Sequence, residues 1–139
     1  MAKYVIKTPV ITVNSVDLSN RADSVTIETA FDEVESTAFG DSFKQYEQGM
    51  GDATITVEWQ QDFAAAEIDA TLWPLASAGT TFPVTVKPTS SAVSATNPLY
   101  SMTCRLFGYS PMDGGIGDLS KTTTAMRNAS STGLTRATS

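Results

Sequence analysis

Residues 23–59 read DSVTIETAFDEVESTAFGDSFKQYEQGMGDATITVEW. Both ends of this stretch alternate. In the first run Val25, Ile27 and Phe31 fall on one face, with Thr26, Glu28 and Ala30 on the other. In the last run Ile55, Val57 and Trp59 alternate with Thr54, Thr56 and Glu58. A sustained period of two marks a half-buried strand, so the runs at 24–35 and 52–61 are expected to form a long antiparallel pair. Between them, Phe39, Phe43, Tyr46 and Met50 stand at i, i+4, i+7 and i+11 among Gly40, Gly49 and Gly51. That spacing fits a short helix folded onto its own core. The glycines argue against a stable helix. Large apolar side chains on a long inter-strand loop point instead to burial by another chain. From the residues alone both readings stand.

Other strand signals flank this pair. VITVNSVDLS (10–19) reads as a small hairpin turning at Asn14-Ser15. TTFPVTVKP (80–88) places Val84 and Val86 inward, and PLYSMTCRLFGYS (98–110) puts Tyr100, Met102, Cys104 and Leu106 on one face. KTTTAMRN (121–128) is a last, Thr-rich strand whose pattern does not decide its facing. DFAAAEIDATLWPLASAG (62–79) is expected to be the one helix, with Asp62 as N-cap, Ile68, Leu72 and Leu75 at near-helical spacing, Pro74 inside and Gly79 at the end. The expectation is a mostly β chain of barrel-like or sandwich form with one flanking helix. It is read as a single domain over 1–139, with an N-terminal arm at about 1–10 and a C-terminal arm at about 128–139.

Composition agrees with a globular β protein. Of 139 residues 41% are apolar, and Thr and Ser together make up a quarter of the chain. The net charge of −6 is uneven. Residues 1–87 hold 13 acids and 5 bases, whereas residues 88–139 hold 2 acids and 4 bases. Acidic runs without clustered Lys and Arg do not grip nucleic acid.

The chain has no histidine and a single cysteine. The usual general base, the Ser-His-Asp triad and most zinc sites are thereby excluded. No cofactor or metal is expected, and the chain is read as not an enzyme. Asp62 with Glu67, and Glu33 with Glu35, are read as a cap and a solvated strand end rather than catalytic pairs. DGGIGD (113–118) lacks calcium-loop spacing and is read as a tight turn. NAS at 128–130 fits a glycosylation sequon, but MAKYVIKTPV does not read as a secretory signal. No apolar run is long enough to span a bilayer. Cys104, between Met102 and Leu106, is read as a buried core thiol.

The order of these features resembles the major tail proteins, or tail tube proteins, of long-tailed bacteriophages with flexible tails. TAFGD (37–41), QDFAAAEIDATLWPL (61–75) and KPTSSAVSATNP (87–98) carry the resemblance most specifically, and it runs from about residue 10 to the C-terminus. It implies a β-sandwich with one helix on its flank, assembled into stacked, hexameric rings around a hollow conduit for genome delivery. The implied location is the virion tail, after assembly in the host cytoplasm. The implied partners are other copies of the chain within and between rings, the tape-measure protein, and tail-end and neck proteins. DNA passes through the lumen without specific binding, and no membrane is involved. On this reading Phe39, Gly40, Phe43, Tyr46 and Met50 form an inter-subunit loop. Thr26, Glu28, Thr54, Thr56 and Glu58 face the lumen as a polar wall that holds no base. A last strand and Arg105 sharing that face would dilute its negative charge. The competing reading is a monomeric Ig-like or adhesin-like β-sandwich binding module.

Overall fold

The computed structural model describes residues 3–139; residues 1–2, at the start of the expected N-terminal arm, lie outside the described residues. β1 (Val10–Val13) and β2 (Val16–Asp17) form the small hairpin. Asn14 and Ser15 both take positive φ, 50° and 69°, which is the backbone a two-residue turn needs to match strand twist. β3 (Ala22–Glu35) and β4 (Tyr46–Gln60) pair along almost their whole length. α1 (Ile68–Ala78) follows, then β5 (Phe82–Lys87), β6 (Leu99–Leu106), β7 (Lys121–Asn128) and β8 (Thr135–Ala137).

The strands make one antiparallel sheet in the order β2-β1-β5-β6-β7-β4-β3, and β8 pairs with β6. Residues from both ends of that order share one core. Ile11 and Val13 of β1 join Val84, Met102, Met126 and Ile55, with Val25 and Ile27 of β3 packed against them. The sheet therefore folds over on itself. The Thr-rich strand resolves its own facing: Thr122, Thr124 and Met126 point inward. Thr124 is tolerated there because its Oγ1 accepts the buried Trp59 indole N–H at 2.9 Å. Thr122 Oγ1 is buried with no hydrogen-bond partner among the described residues.

The helix begins later than expected. Asp62 is not its N-cap; α1 starts at Ile68, after Glu67. The Asp62 carboxylate instead accepts the Ala64 N–H at 2.9 Å and pairs with Arg21 Nε at 2.8 Å, while its carbonyl accepts the Asp69 N–H. Ala66 sits at φ 61°, which interrupts any helix across the alanines. From Ile68 onward the expected face holds: Ile68, Leu72 and Leu75 are buried, and Gly79 closes the helix at φ 67° with its N–H on the Leu75 carbonyl. The segment read as a C-terminal arm adds β8 to the sheet, with Ser101 opposite Thr135 and Leu134 against the core.

Candidate functional site

The connection between β3 and β4 is shorter than the sequence implied. β4 already begins at Tyr46, so Tyr46 and Met50 are strand residues, and the connecting loop is residues 36–45. The helical spacing of the four apolar residues is therefore incidental. The strand accommodates its glycines for local reasons. A register shift falls between Phe31↔Gly51 and Glu33↔Gln48, which puts an extra residue on β4 near Gly49. At Gly51, a Cβ would come within 2.7 Å of Phe31 Cε1, so the Phe31 ring lies over a position that only glycine leaves open. The loop is held by short local bonds: Ser36 N–H to Gln45 O, Gln45 N–H to Thr37 Oγ1 and Ala38 N–H to Asp41 Oδ2, each 2.8 Å.

This pair extends well beyond the sheet. β7 covers β4 only from Thr54 to Gln60. Ala53 is still buried in the core, so Tyr46–Asp52 and their β3 partners form a two-stranded arm, ~23 Å long at ~3.3 Å per residue. Phe39 on its loop is fully exposed, Phe43 is 85% exposed and Met50 82%; Tyr46, Phe31 and Val34 are about half exposed. Gly40 takes φ 93° in the loop with open space around it.

The five polar positions expected to face a lumen do share one surface of the sheet. Thr26 lies opposite Thr56, Glu28 opposite Thr54, and Ser24 opposite Glu58. Thr26 and Glu28 are exposed; Thr54, Thr56 and Glu58 are half-buried. The paired strands bring no base to this surface, but the register of β7 and β6 adds bases to it, the dilution expected if the last strand and Arg105 share that face. Arg127 lies opposite Thr54, Lys121 opposite Gln60, and Arg105 opposite Arg127. Lys121 Nζ stands 2.7 Å from Asp23 Oδ2 and 3.9 Å from Glu58 Oε1, and Arg127 Nη2 stands 3.0 Å from Asp52 Oδ2. Hydrogen bonding from Lys121, then from Gln60, holds the Asp23 carboxyl below the usual carboxylate range, and Asp23 in turn raises Lys121. The surface is a mixed-charge one, with four acids against three bases. The basic residues come from the C-terminal part of the chain, from the last strand and Arg105.

At the end of the sheet away from the arm, the loop 107–120 joins β6 to β7. Tyr109 Oη donates to Asp69 Oδ1 at 2.9 Å and accepts from Gln61 Nε2 at 2.8 Å, tying the loop to α1; burial pushes its hydroxyl up to about 12. On either side of Tyr109 the loop turns large apolar side chains outward. Ile116 is fully exposed, Met112 is 80% exposed, and Phe107 and Leu119 are mostly so. Sequence reading took this segment for a turn and missed its surface. The signal was present, since the segment sets large apolar residues among glycines just as 39–50 does.

Cys104 is fully buried, and burial pushes its thiol up to about 12, so it is a core residue as expected. Among the described residues no group of His, Cys, Asp or Glu is placed to hold a metal ion, and no helix is long and apolar enough to cross a membrane. The Asp62 carboxyl lies below its usual range because of the Ala64 N–H first and Arg21 second, a local turn bond and an ion pair.

No family model and no curated protein sequence matches the chain. Solved structures do. A chain of the virion of a native gene transfer agent particle superimposes with a TM-score of 0.73 at 12% identity, covering 92% of this chain and 94% of that one. A chain of the tail of an empty gene transfer agent particle gives 0.65 at 13% identity, over 83% and 81% of the two chains. A chain of an extracellular contractile injection system, the PVC sheath–tube complex in its extended state, gives 0.71 at 8% identity, over 99% and 93%. The mostly β, one-helix fold of this chain is thus the fold of chains found in a gene transfer agent tail and in an injection-system sheath–tube complex.

Proposed function

We propose that this chain is a structural subunit that polymerises head to tail into stacked rings, forming the tube of a virion tail through which a genome is delivered. The observation that carries the reading is the β3–β4 arm. A two-stranded ribbon projecting into solvent with apolar side chains on it is marginal by itself. A second chain is the simplest thing to cover it. The fold likeness supports the same reading, because the similar chains come from a tail and from sheath–tube complexes. The tail among them was refined with sixfold symmetry, which supports a hexameric ring here.

On this reading Phe39, Gly40, Phe43, Tyr46 and Met50 make the inter-ring contact. The surface with Thr26, Glu28, Thr54, Thr56 and Glu58 lines the lumen. DNA carries one negative charge per ~1.7 Å of axis. A wall that stays net acidic, with Lys121 and Arg127 paired to Asp23 and Asp52 and the Arg105 Nε–H donating to the Gly79 carbonyl, offers phosphate little to hold. The polar partners of a flexible tail, tape-measure protein inside and neck and tail-end proteins at the two ends, follow from the sequence resemblance, as does assembly in the host cytoplasm. The C-terminal residues beyond β8 and the N-terminal segment are the remaining candidates for contact arms. The test is electron microscopy of purified protein at rising concentration, with and without fragments of tail as initiator. Rings or tubes are expected. Monomers under every condition would overturn the reading in favour of a monomeric binding module.

A further inference from the structure

The arm and the exposed 107–120 loop lie at opposite ends of the same strands. β4 runs from the arm at Tyr46 to Gln60, where Lys121 lies opposite it and Gln61 N–H bonds to the Ser120 carbonyl. At ~3.3 Å per residue that run separates the two surfaces by roughly 46 Å. No copy can bring its own arm onto its own loop. The two surfaces are also unlike each other: one is the end of a β-ribbon, the other a glycine-bearing loop tied to α1 through Tyr109. Unlike patches at opposite ends of one molecule are the elements of a heterologous, open-ended contact.

We infer that the arm of one copy seats its apolar end on the 107–120 loop of a second copy stacked head to tail, so that Phe43, Tyr46 and Met50 meet Met112, Ile116 and Leu119. This rests on the polymerisation reading above and names the receiving surface. One opposite-charge contact is available at the rim, within an arm that otherwise carries Glu33, Glu35, Asp41 and Glu47. Lys44 is the only base between Arg21 and Lys87, and it sits at the arm's end next to Phe43. The receiving loop holds Asp113 and Asp118 and no base. Asp118 is engaged in its own turn, accepting the Gly115 N–H at 3.1 Å, but among the described residues neither Lys44 nor Asp113 takes part in an ion pair. The sheet end beside the arm's base also carries Lys87 and Arg136, on β5 and β8, opposite in sign to that loop.

The experiment is disulfide trapping in assembled tubes. Cys104 is buried and inert, so the native chain is a suitable background. Phe43→Cys with Ile116→Cys in one chain, oxidised after assembly, should give a ladder on a non-reducing gel that climbs past six copies, because each subunit links to one above and one below. The two single variants mixed before assembly should give dimers only. Tyr46→Cys with Met112→Cys serves as a second pair should the first fail to assemble. Lys44→Glu should slow elongation at least tenfold, and Asp113→Lys in the same chain should restore it. A ladder that stops at six would place the contact within one ring and overturn the inference. Tubes in which neither cysteine pair links would do the same while leaving polymerisation intact. Wild-type protein that forms no tubes would remove the underlying reading instead.

Discussion

Replacing Phe43 and Tyr46 together by Ser isolates the arm's contribution to assembly from its contribution to folding. In the free subunit Phe43 is 85% exposed and Tyr46 56% exposed, and neither belongs to the core. Surface changes of this kind alter folding stability by about 0.5 kcal/mol or less. Assembly is different. An aromatic side chain buries ~150–250 Å² when fully covered. Scaled by those exposures, the pair offers roughly 280 Å² to a partner, an upper limit of about 7 kcal/mol at ~25 cal/mol per Å². Ordering of the arm and imperfect packing reduce this, and truncation of an interface anchor ordinarily costs about 2–4 kcal/mol. With tenfold per ~1.4 kcal/mol, the double variant should need at least ~30-fold more protein to lengthen tubes. The assay pairs thermal melting of the unassembled subunit with sedimentation of tubes across a concentration series. Unchanged melting with a raised critical concentration is expected. Equal elongation, together with equal amide-exchange protection of residues 38–51 in free and assembled protein, would show that the arm belongs to its own subunit and refute the reasoning.

Glu28→Lys with Glu58→Lys moves the polar surface from one net negative charge per subunit to three net positive. Tubes should still form but release genome slowly, and a tube structure with both carboxylates on the outside would defeat the lumen assignment. Asp23 and Asp62 are both held below their ordinary range. Their contribution is therefore complete above the unfolded carboxylate value and is lost as pH falls through the folded one. Asp23→Asn with Asp62→Asn should flatten the acid side of a melting-temperature profile, and an unchanged slope would show that the pairs are idle. Thr124→Val orphans the buried Trp59 indole N–H and should destabilise by about 1–3 kcal/mol. Thr122→Val removes a hydroxyl that finds no partner among the described residues and should be neutral or stabilising, so chemical denaturation that ranks the two alike would discount the hydrogen bond. Tube growth should show a lag that added tube fragments abolish; light scattering without a lag would exclude ring-templated growth.

The β3–β4 pairing, the Asn14-Ser15 turn and the inward face of α1 were legible because each depends on neighbours in sequence. Period-two alternation names Ile55, Val57 and Trp59 without knowledge of what covers them. Misreadings arose where distant residues decide. Asp62 looks like a helix cap until Arg21, 41 positions earlier, is seen to claim its carboxylate. Tyr46 and Met50 fit a helical repeat because glycine weakens a strand pattern, and only the Phe31 ring over Gly51 explains why the strand tolerates one there. The mixed charge of the polar surface stayed open in the sequence because β7 lies about 65 residues beyond β4 in the chain. The facing of Lys121 and Arg127 follows from register with β4, which no local pattern encodes.

The arm's acids bear on how such an exposed apolar surface is kept from pairing with its copies. Glu33 and Glu35 lie on β3 opposite Gln48 and Tyr46, and Glu47 lies opposite Val34, so the exposed apolar residues are interleaved with carboxylates. Lys44 is the single base there. Two free arms that meet therefore bring like charges together, and that repulsion acts within ~8 Å at physiological ionic strength. An exposed, uncharged ribbon of this length would pair edge to edge with its copies; the acids oppose that. They do not oppose docking on the 107–120 loop to the same degree, since that surface has two acids and an apolar centre. One such contact repays only part of the cost of ordering an arm, at roughly 1–2 kcal/mol for each residue fixed. A completed ring presents several receiving loops at once, and later arms then dock beside neighbours already held in place. On the proposed reading, growth from rings is thereby favoured over growth from stray pairs, and the same residues would oppose edge-to-edge pairing of free subunits.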